Sequence, residues 1–110
     1  MKIGIIGSEF LLVDVNKYIP EDTTTIISGG IGGVSKLALR YADELHIPKL
    51  VVKPEFKNHG RHAKKIANKL VIDLADKVVV LADSASGDVK EYIDYAESTK
   101  KLADVYYFGI

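Results

Sequence analysis

An uninterrupted apolar run, Val78-Val79-Val80-Leu81, constrains the fold of this chain more than any other segment. A strand that faces water on one side alternates apolar and polar side chains, whereas a strand buried on both faces reads as continuous Val, Ile and Leu. Strands of the second kind occur where helices cover both faces of a parallel sheet. We therefore expect residues 77–82 to form a central strand of such a sheet.

Apolar runs alternate with segments of helical periodicity along the whole chain. We predict strands at residues 3–6, 23–27, 49–53, 77–82 and 104–108, and helices at residues 9–19, 34–45, 63–74 and 87–100. Such alternation implies parallel strands joined by right-handed crossovers, with helices on both faces. The predicted fold is an α/β three-layer sandwich with a five-stranded parallel sheet in the order 3-2-1-4-5.

Length and composition narrow the class of protein. The 110 residues fit one domain spanning 1–110, and fifteen basic residues balance fifteen acidic ones. Zero net charge disfavours a domain that coats nucleic acid. The absence of cysteine excludes disulfides, thiolate nucleophiles and zinc fingers. No apolar run approaches the ~18 residues of a membrane helix, so we expect a cytoplasmic protein with no membrane partner.

Three polar, glycine-containing loops follow predicted strands. Ligands of open parallel sheets bind at the carboxyl ends of the strands, near the point where the strand order reverses. Glycine permits positive φ and close approach of a ligand to the main chain, and helix N-termini stabilise anions. The candidate ligand-binding residues in these loops are Gly7, Ser8, Gly29, Gly30, Gly32, Gly33, Asp83, Ser84, Ser86 and Gly87.

Each of these loops also has a structural explanation. The glycines permit a tight strand-to-helix turn, and Asp83 or Ser86 could cap the following helix. The loop at 28–33 lacks the Lys-Ser/Thr ending of a Walker loop, and it does not follow the first strand as a dinucleotide fingerprint does. The coincidence of three such loops favours a nucleotide-sized ligand, without a predicted cofactor.

The third predicted helix and the segment before it are rich in basic residues. Arg61, Lys65 and Lys69 recur every fourth residue and therefore share one face. This face is either solvated or steers phosphate, of a small ligand or of single-stranded nucleic acid. No aromatic residue interleaves the cations, which disfavours nucleic acid. His59 and His62 lack a carboxylate at metal-ligand spacing, so no metal site is predicted.

Glu91 is the one carboxylate placed to face a ligand held by Gly87, because it lies one turn into the fourth predicted helix. An acid in the first turn also stabilises the helix dipole without any further role. Both interpretations remain open from the residues alone.

Four short segments together form a recognisable succession. They are Gly7-Ser8, Ser28-Gly29-Gly30-x-Gly32-Gly33-Val34-x-x-Leu37-Ala38, Asn68 ahead of Ala75-Asp76-Lys77-Val78-Val79-Val80, and Ser84-x-Ser86-Gly87. The succession resembles the SLOG superfamily of Rossmann-like domains, which includes relatives of the DNA-processing protein DprA and the LOG phosphoribohydrolases. The small single-domain YspA-like branch is the most similar. The resemblance implies a nucleotide or nucleotide-derived ligand, and it adds Ser35 and Asn68 to the candidate ligand-binding residues.

The chain departs from the LOG pattern where catalysis would depend on it. Glu91 matches the glutamate of that pattern, but Asp88 replaces a threonine and Ala67 stands where the arginine would be. We therefore expect ligand binding without assured catalysis. One alternative is a phosphoribohydrolase that uses Glu91, with Arg61 replacing the missing arginine. Another is DprA-like binding of single-stranded nucleic acid by the basic face.

The first predicted helix also favours self-association. Its apolar residues are Phe10, Leu11, Leu12, Val13 and Val15, which is more than one buried stripe requires. A sheet covers only one side of a helix, and zero net charge removes long-range repulsion between copies. We therefore expect a two-fold homodimer.

Overall fold

The computed structural model describes residues 1–8, 11–30, 32–83 and 89–108. Its strands are β1 (Lys2–Gly7), β2 (Thr25–Ser28), β3 (Lys49–Val51), β4 (Lys77–Asp83) and β5 (Leu102–Phe108). Its α-helices are α1 (Gly33–Glu44), α2 (Phe56–His59), α3 (Ala63–Leu74) and α4 (Val89–Ser98), and two 3₁₀ turns span Val15–Lys17 and Gly60–His62. None of the helices within these ranges is long and apolar enough to cross a membrane.

The five strands form one parallel sheet in the order β3-β2-β1-β4-β5, which confirms the predicted topology. β1 and β4 pair at its centre, with Ile5 opposite Val79. The five inner residues of β4 are buried, as the continuous apolar run predicted. The chain therefore has the α/β architecture of Rossmann-like folds, with helices on both faces.

Alternate residues of β4 supply two separate cores. Val79 and Leu81 pack on the side of α1. Val78 and Val80 pack on the side of α3 and α4. The segment from β1 to β2 runs over the face of the sheet that α1 covers. The segment from β4 to β5, which contains α4, runs over the opposite face. The strand order reverses between β1 and β4, so ligand-binding loops are expected at their carboxyl ends.

The predicted helix at residues 9–19 is wrong over its described part. Residues 11–14 are not helical, and only the 3₁₀ turn Val15–Lys17 follows. Leu11, Val13 and Val15 turn towards the core while the residues between them are exposed, which is the period of an extended chain. We call residues 11–19 the strap.

Aromatic contacts hold the strap in this conformation. The ring of Tyr18 lies 4.6 Å from that of Tyr106 and 5.5 Å from that of Phe108, both on β5. Aromatic pairs of this geometry add about 0.5–1.5 kcal/mol beyond the area they bury. Of the apolar residues that suggested a helix covered on two sides, Phe10 lies outside the described residues. Leu11, Val13 and Val15 are used in a single extended layer, whereas Leu12 points to solvent. The argument for a dimer through this segment loses its basis.

Two further features concern the third predicted helix. The segment before it contains the single helical turn α2. In α3 the buried residues include Ala67, Val71 and Ile72. Ile66 and Leu70 stay 44% and 43% exposed.

Gly7 fixes how closely α1 approaches the end of β1. A Cβ atom at this position would lie 2.4 Å from Cβ of Val34 and 2.7 Å from the carbonyl oxygen of Leu81. We predict that Gly7→Ala lowers the free energy of unfolding by about 3 kcal/mol, the upper end for overpacking, because a backbone atom must move. Urea unfolding monitored by circular dichroism measures the change.

Gly29→Ala is the matched control for this substitution. Among the described residues, its added Cβ would meet Oδ1 of Asn68 at 3.7 Å and the carbonyl oxygen of Val52 at 3.5 Å, which are ordinary contacts. Equal midpoints for the two variants would contradict the role given to Gly7.

Candidate functional site

Ser8 joins the ends of the two central strands. Its N–H donates to the carbonyl oxygen of Leu81 at 3.0 Å, and its Oγ accepts the N–H of Asp83 at 2.9 Å. The side chain is buried. Ser8 and Asp83, both candidate ligand-binding residues, therefore meet at the carboxyl edge, and Ser8 has a structural role there. Their pairing crosses from one strand to another, so the sequence offered no sign of it.

The glycine loop between β2 and α1 has the backbone conformation that its sequence predicted. Gly30 and Gly32 have φ angles of +76° and +92°, which favour glycine over residues with a Cβ. Gly32 is the N-cap of α1 and accepts the N–H of Lys36 at 3.1 Å. Gly33 is the first helical residue. The loop thus turns the chain directly from the sheet edge into the helix.

Neither the N-cap nor the first turn of α1 supplies the usual neutralising groups. The N-cap residue Gly32 offers no side chain to accept a hydrogen bond, and the first turn contains no acidic residue. The first N–H groups of a helix have no partner within the helix. Here they belong to Gly33, Val34 and Ser35, and they lie at the positive end of the helix dipole. This end of the helix can therefore stabilise an anion.

Two further predicted residues pack beneath this loop. Oδ1 of Asn68, on α3, lies beside Gly29, at 3.7 Å from where a Cβ would be. Ser35 is 6% exposed, and its carbonyl oxygen accepts the hydroxyl of Ser28 at 3.3 Å. Ser28 was not predicted as a site residue, although its place directly before the glycine pair was the available signal. Asn68 and Ser35 thus adjoin the loop, and Ser28 anchors it.

Glu91 is ion-paired with two lysines of the neighbouring helix. Its Oε2 lies 3.2 Å from Nζ of Lys65, and its Oε1 lies 3.4 Å from Nζ of Lys69. The hydrogen bond from Lys65, with the charges of both lysines, lowers the pKa of the carboxyl group despite opposing desolvation. At neutral pH the side chain is a carboxylate, which can stabilise positive charge but cannot act as a general acid.

The basic face of α3 is correspondingly less free than its sequence implied. Lys65 and Lys69 share Glu91, and Nζ of Lys69 also lies 5.5 Å from the ring centre of Tyr95. Nε2 of His59 lies 3.9 Å from a carboxylate oxygen of Glu55. Across the described ranges, no group of three or more His, Asp or Glu side chains is arranged to hold a metal ion.

The remaining predicted residues, Ser84, Ser86 and Gly87, lie outside the described residues. Of the three predicted loops, the structure therefore brings together the end of β1, the start of the β4 loop at Asp83, and the glycine loop before α1. A scan against protein-family models and a search of curated proteins returned no match to the chain.

The ion pairs of Glu91 make a testable prediction. We expect Lys65→Met to raise the pKa of Glu91 towards that of a free glutamate, because the hydrogen bond from Lys65 is the main cause of its lowering. Since this pKa is lowered in the folded protein, its contribution to stability is present at neutral pH and is lost as the pH falls through it. Carboxyl-detected NMR titration of Glu91 measures the shift.

Lys36→Met is the control, because Lys36 belongs to α1 on the opposite side of the sheet. An unchanged Glu91 titration in Lys65→Met would show that the ion pair does not persist in solution.

Proposed function

We propose that the protein binds a nucleotide or a nucleotide-derived ligand, with its phosphate at the N-terminus of α1. The observation that carries this proposal is the uncapped, acid-free start of α1 directly behind Gly30 and Gly32. Phosphates bind at helix N-termini because free N–H groups and the helix dipole both favour negative charge. Glycines ahead of the helix let the phosphate reach the main chain.

The position of this loop in the sheet supports a ligand site. The loop follows β2, next to the central pair β1 and β4 where the connections depart to opposite sides. Ser8 and Asp83 lie at the ends of that pair, and Asn68 adjoins the glycine loop from the other face. We further propose that the chain belongs to the SLOG superfamily, on the residues that resemble it.

Phosphoribohydrolase activity is the alternative, and two observations disfavour it. Both carboxylate oxygens of Glu91 have lysine partners, which competes with a role at a sugar. Ala67, at the position of the arginine in the LOG pattern, is 4% exposed within the packed face of α3. Release of free base from nucleoside monophosphates, lost in Glu91→Gln, would establish this alternative.

Binding of single-stranded nucleic acid has less support. Lys65 and Lys69, two of the three cations on the basic face, are already paired with a carboxylate. Displacing those contacts reduces what a phosphate backbone would gain. Oligonucleotide binding that weakens steeply with salt would favour this function over the small-molecule one.

The glycine loop provides the decisive substitution. We predict that Gly30→Val weakens binding of adenosine 5′-monophosphate at least tenfold, because a β-branched side chain is strained at the φ of +76° and its Cβ would press on Leu39 and Val51, so the loop must shift. Isothermal titration calorimetry measures the affinity.

Gly60→Val is the matched control. Gly60 also has a positive φ, of +55°, and lies in the turn before α3. A Cβ there would meet no described residue within 4 Å. It therefore carries the strain of a positive φ outside the glycine loop, without the contacts that a Cβ at Gly30 would make with Leu39 and Val51. Equal affinities in the two folded variants would refute the phosphate site.

We also propose that the protein is a homodimer, through α3 rather than through the strap. Ile66, Leu70 and Leu74 form a stripe along one flank of α3, and each is about two-fifths exposed. Their spacing of four residues is symmetric about Leu70. An antiparallel pairing of two copies about this residue would bring Ile66 of one copy beside Leu74 of the other, so the apolar stripe is self-complementary.

We predict that Leu70→Glu reduces the mass measured by light scattering from twice 12.1 kDa to 12.1 kDa. A carboxylate on the two-fold axis would face its own copy, which is unfavourable. Leu12→Glu, at an apolar side chain that is 75% exposed on the strap, is expected to leave the mass unchanged. A wild-type protein that stays monomeric at high micromolar concentration would exclude the dimer.

A further inference from the structure

A cavity of about 450 Å³ opens at the carboxyl end of β4, between α4 and β5. Its volume is within the range of small-molecule sites. Its apolar wall consists of Ala82 from β4 with Val89 and Ile93 from α4. Tyr107, the neighbour of Ala82 on β5, also borders the cavity.

Tyr107 is an unusual residue for the strand that carries it. Its neighbours Tyr106 and Phe108 pack against Tyr18 on the α1 side, so by the alternation of a strand Tyr107 faces the α4 side. The side chain is 72% exposed, although it borders the wall formed by α4. Within the described residues, its ring meets no other aromatic ring and its hydroxyl has no hydrogen-bond partner. A large aromatic surface is therefore left open above an apolar wall.

The rim of the cavity is polar. Lys90 and Asp94, on the same side of α4, provide a hydrogen-bond donor and an acceptor. A planar heterocycle with its own donors and acceptors matches this arrangement, because one face can stack on Tyr107 while its edge meets the rim. Stacking on an aromatic side chain is a common way in which proteins hold nucleobases.

We propose that this cavity binds the nucleobase of the ligand. The inference rests on the proposed function in assigning the base to a nucleotide whose phosphate lies at α1. Asp83 links the two places, because it borders the cavity and its N–H donates to Oγ of Ser8 at the end of β1. The cavity and the glycine loop therefore share the carboxyl edge of one sheet.

The test separates base from phosphate by using two probes on the full chain labelled with ¹⁵N. Adenosine carries the base without a phosphate, and ribose 5-phosphate carries the phosphate without a base. Adenosine is expected to shift the amide signals of Val89, Ile93 and Tyr107. Ribose 5-phosphate is expected to shift those of the glycine loop.

Substitutions of Tyr107 then identify stacking as the interaction. Tyr107→Ala is expected to weaken adenosine binding about tenfold or more, while Tyr107→Phe retains it, because the ring and not the hydroxyl is used. Ribose 5-phosphate binding is expected to be the same in both variants. Leu12→Ala, another exposed side chain on a distant segment, is the control and should change neither affinity.

The outcomes distinguish the two proposals. If ribose 5-phosphate shifts the glycine loop but adenosine leaves the cavity signals unchanged, the nucleobase pocket is overturned and the phosphate site stands. Unchanged adenosine affinity in Tyr107→Ala also overturns it. If adenosine binds in a Tyr107-dependent way while ribose 5-phosphate does not bind, the pocket is supported and the phosphate site fails.

Discussion

Burial of β4 on both faces is the constraint on which the rest of the structure depends. Val78 and Val80 need cover on one side, and Val79 and Leu81 need it on the other. A chain of 110 residues can provide that cover only by sending its connections to both sides of the sheet. The separation of these connections at β1 and β4 opens the carboxyl edge where the polar loops gather. The location of the candidate site is therefore a consequence of how the core is buried.

Much of this architecture could be predicted because the information is local. The apolar run of β4 and the glycines at 29–33 each carry their own conformational preference. The strap could not be predicted in this way. Its apolar residues fit a helical stripe and an extended alternation equally well. The contacts of Tyr18 with β5, almost ninety positions further along the chain, favour the extended form.

The same distinction applies to the candidate site. The backbone conformations of Gly30 and Gly32 follow from residue type. The partners of Glu91 and Ser8 cannot be predicted from residue type, because each pair joins elements that are far apart in sequence. Lys65 and Lys69 looked like a free basic face only because their acid lies on another helix. The electrostatic role of a side chain thus depends on how the helices pack, whereas the backbone conformation of a glycine can be predicted from its residue type.

The strap has a consequence for how the protein responds to local opening. Within the described residues, the backbone hydrogen bonds of Leu11, Lys17 and Tyr18 all run to positions three residues earlier, and none joins the strap to the sheet. Side-chain contacts alone hold it against α1 and β5. Opening of the strap would therefore expose Val15 and break these side-chain contacts, but it would break none of the hydrogen bonds of the sheet. Such a subglobal opening would uncover one side of β5 without unfolding the edge that carries the glycine loop.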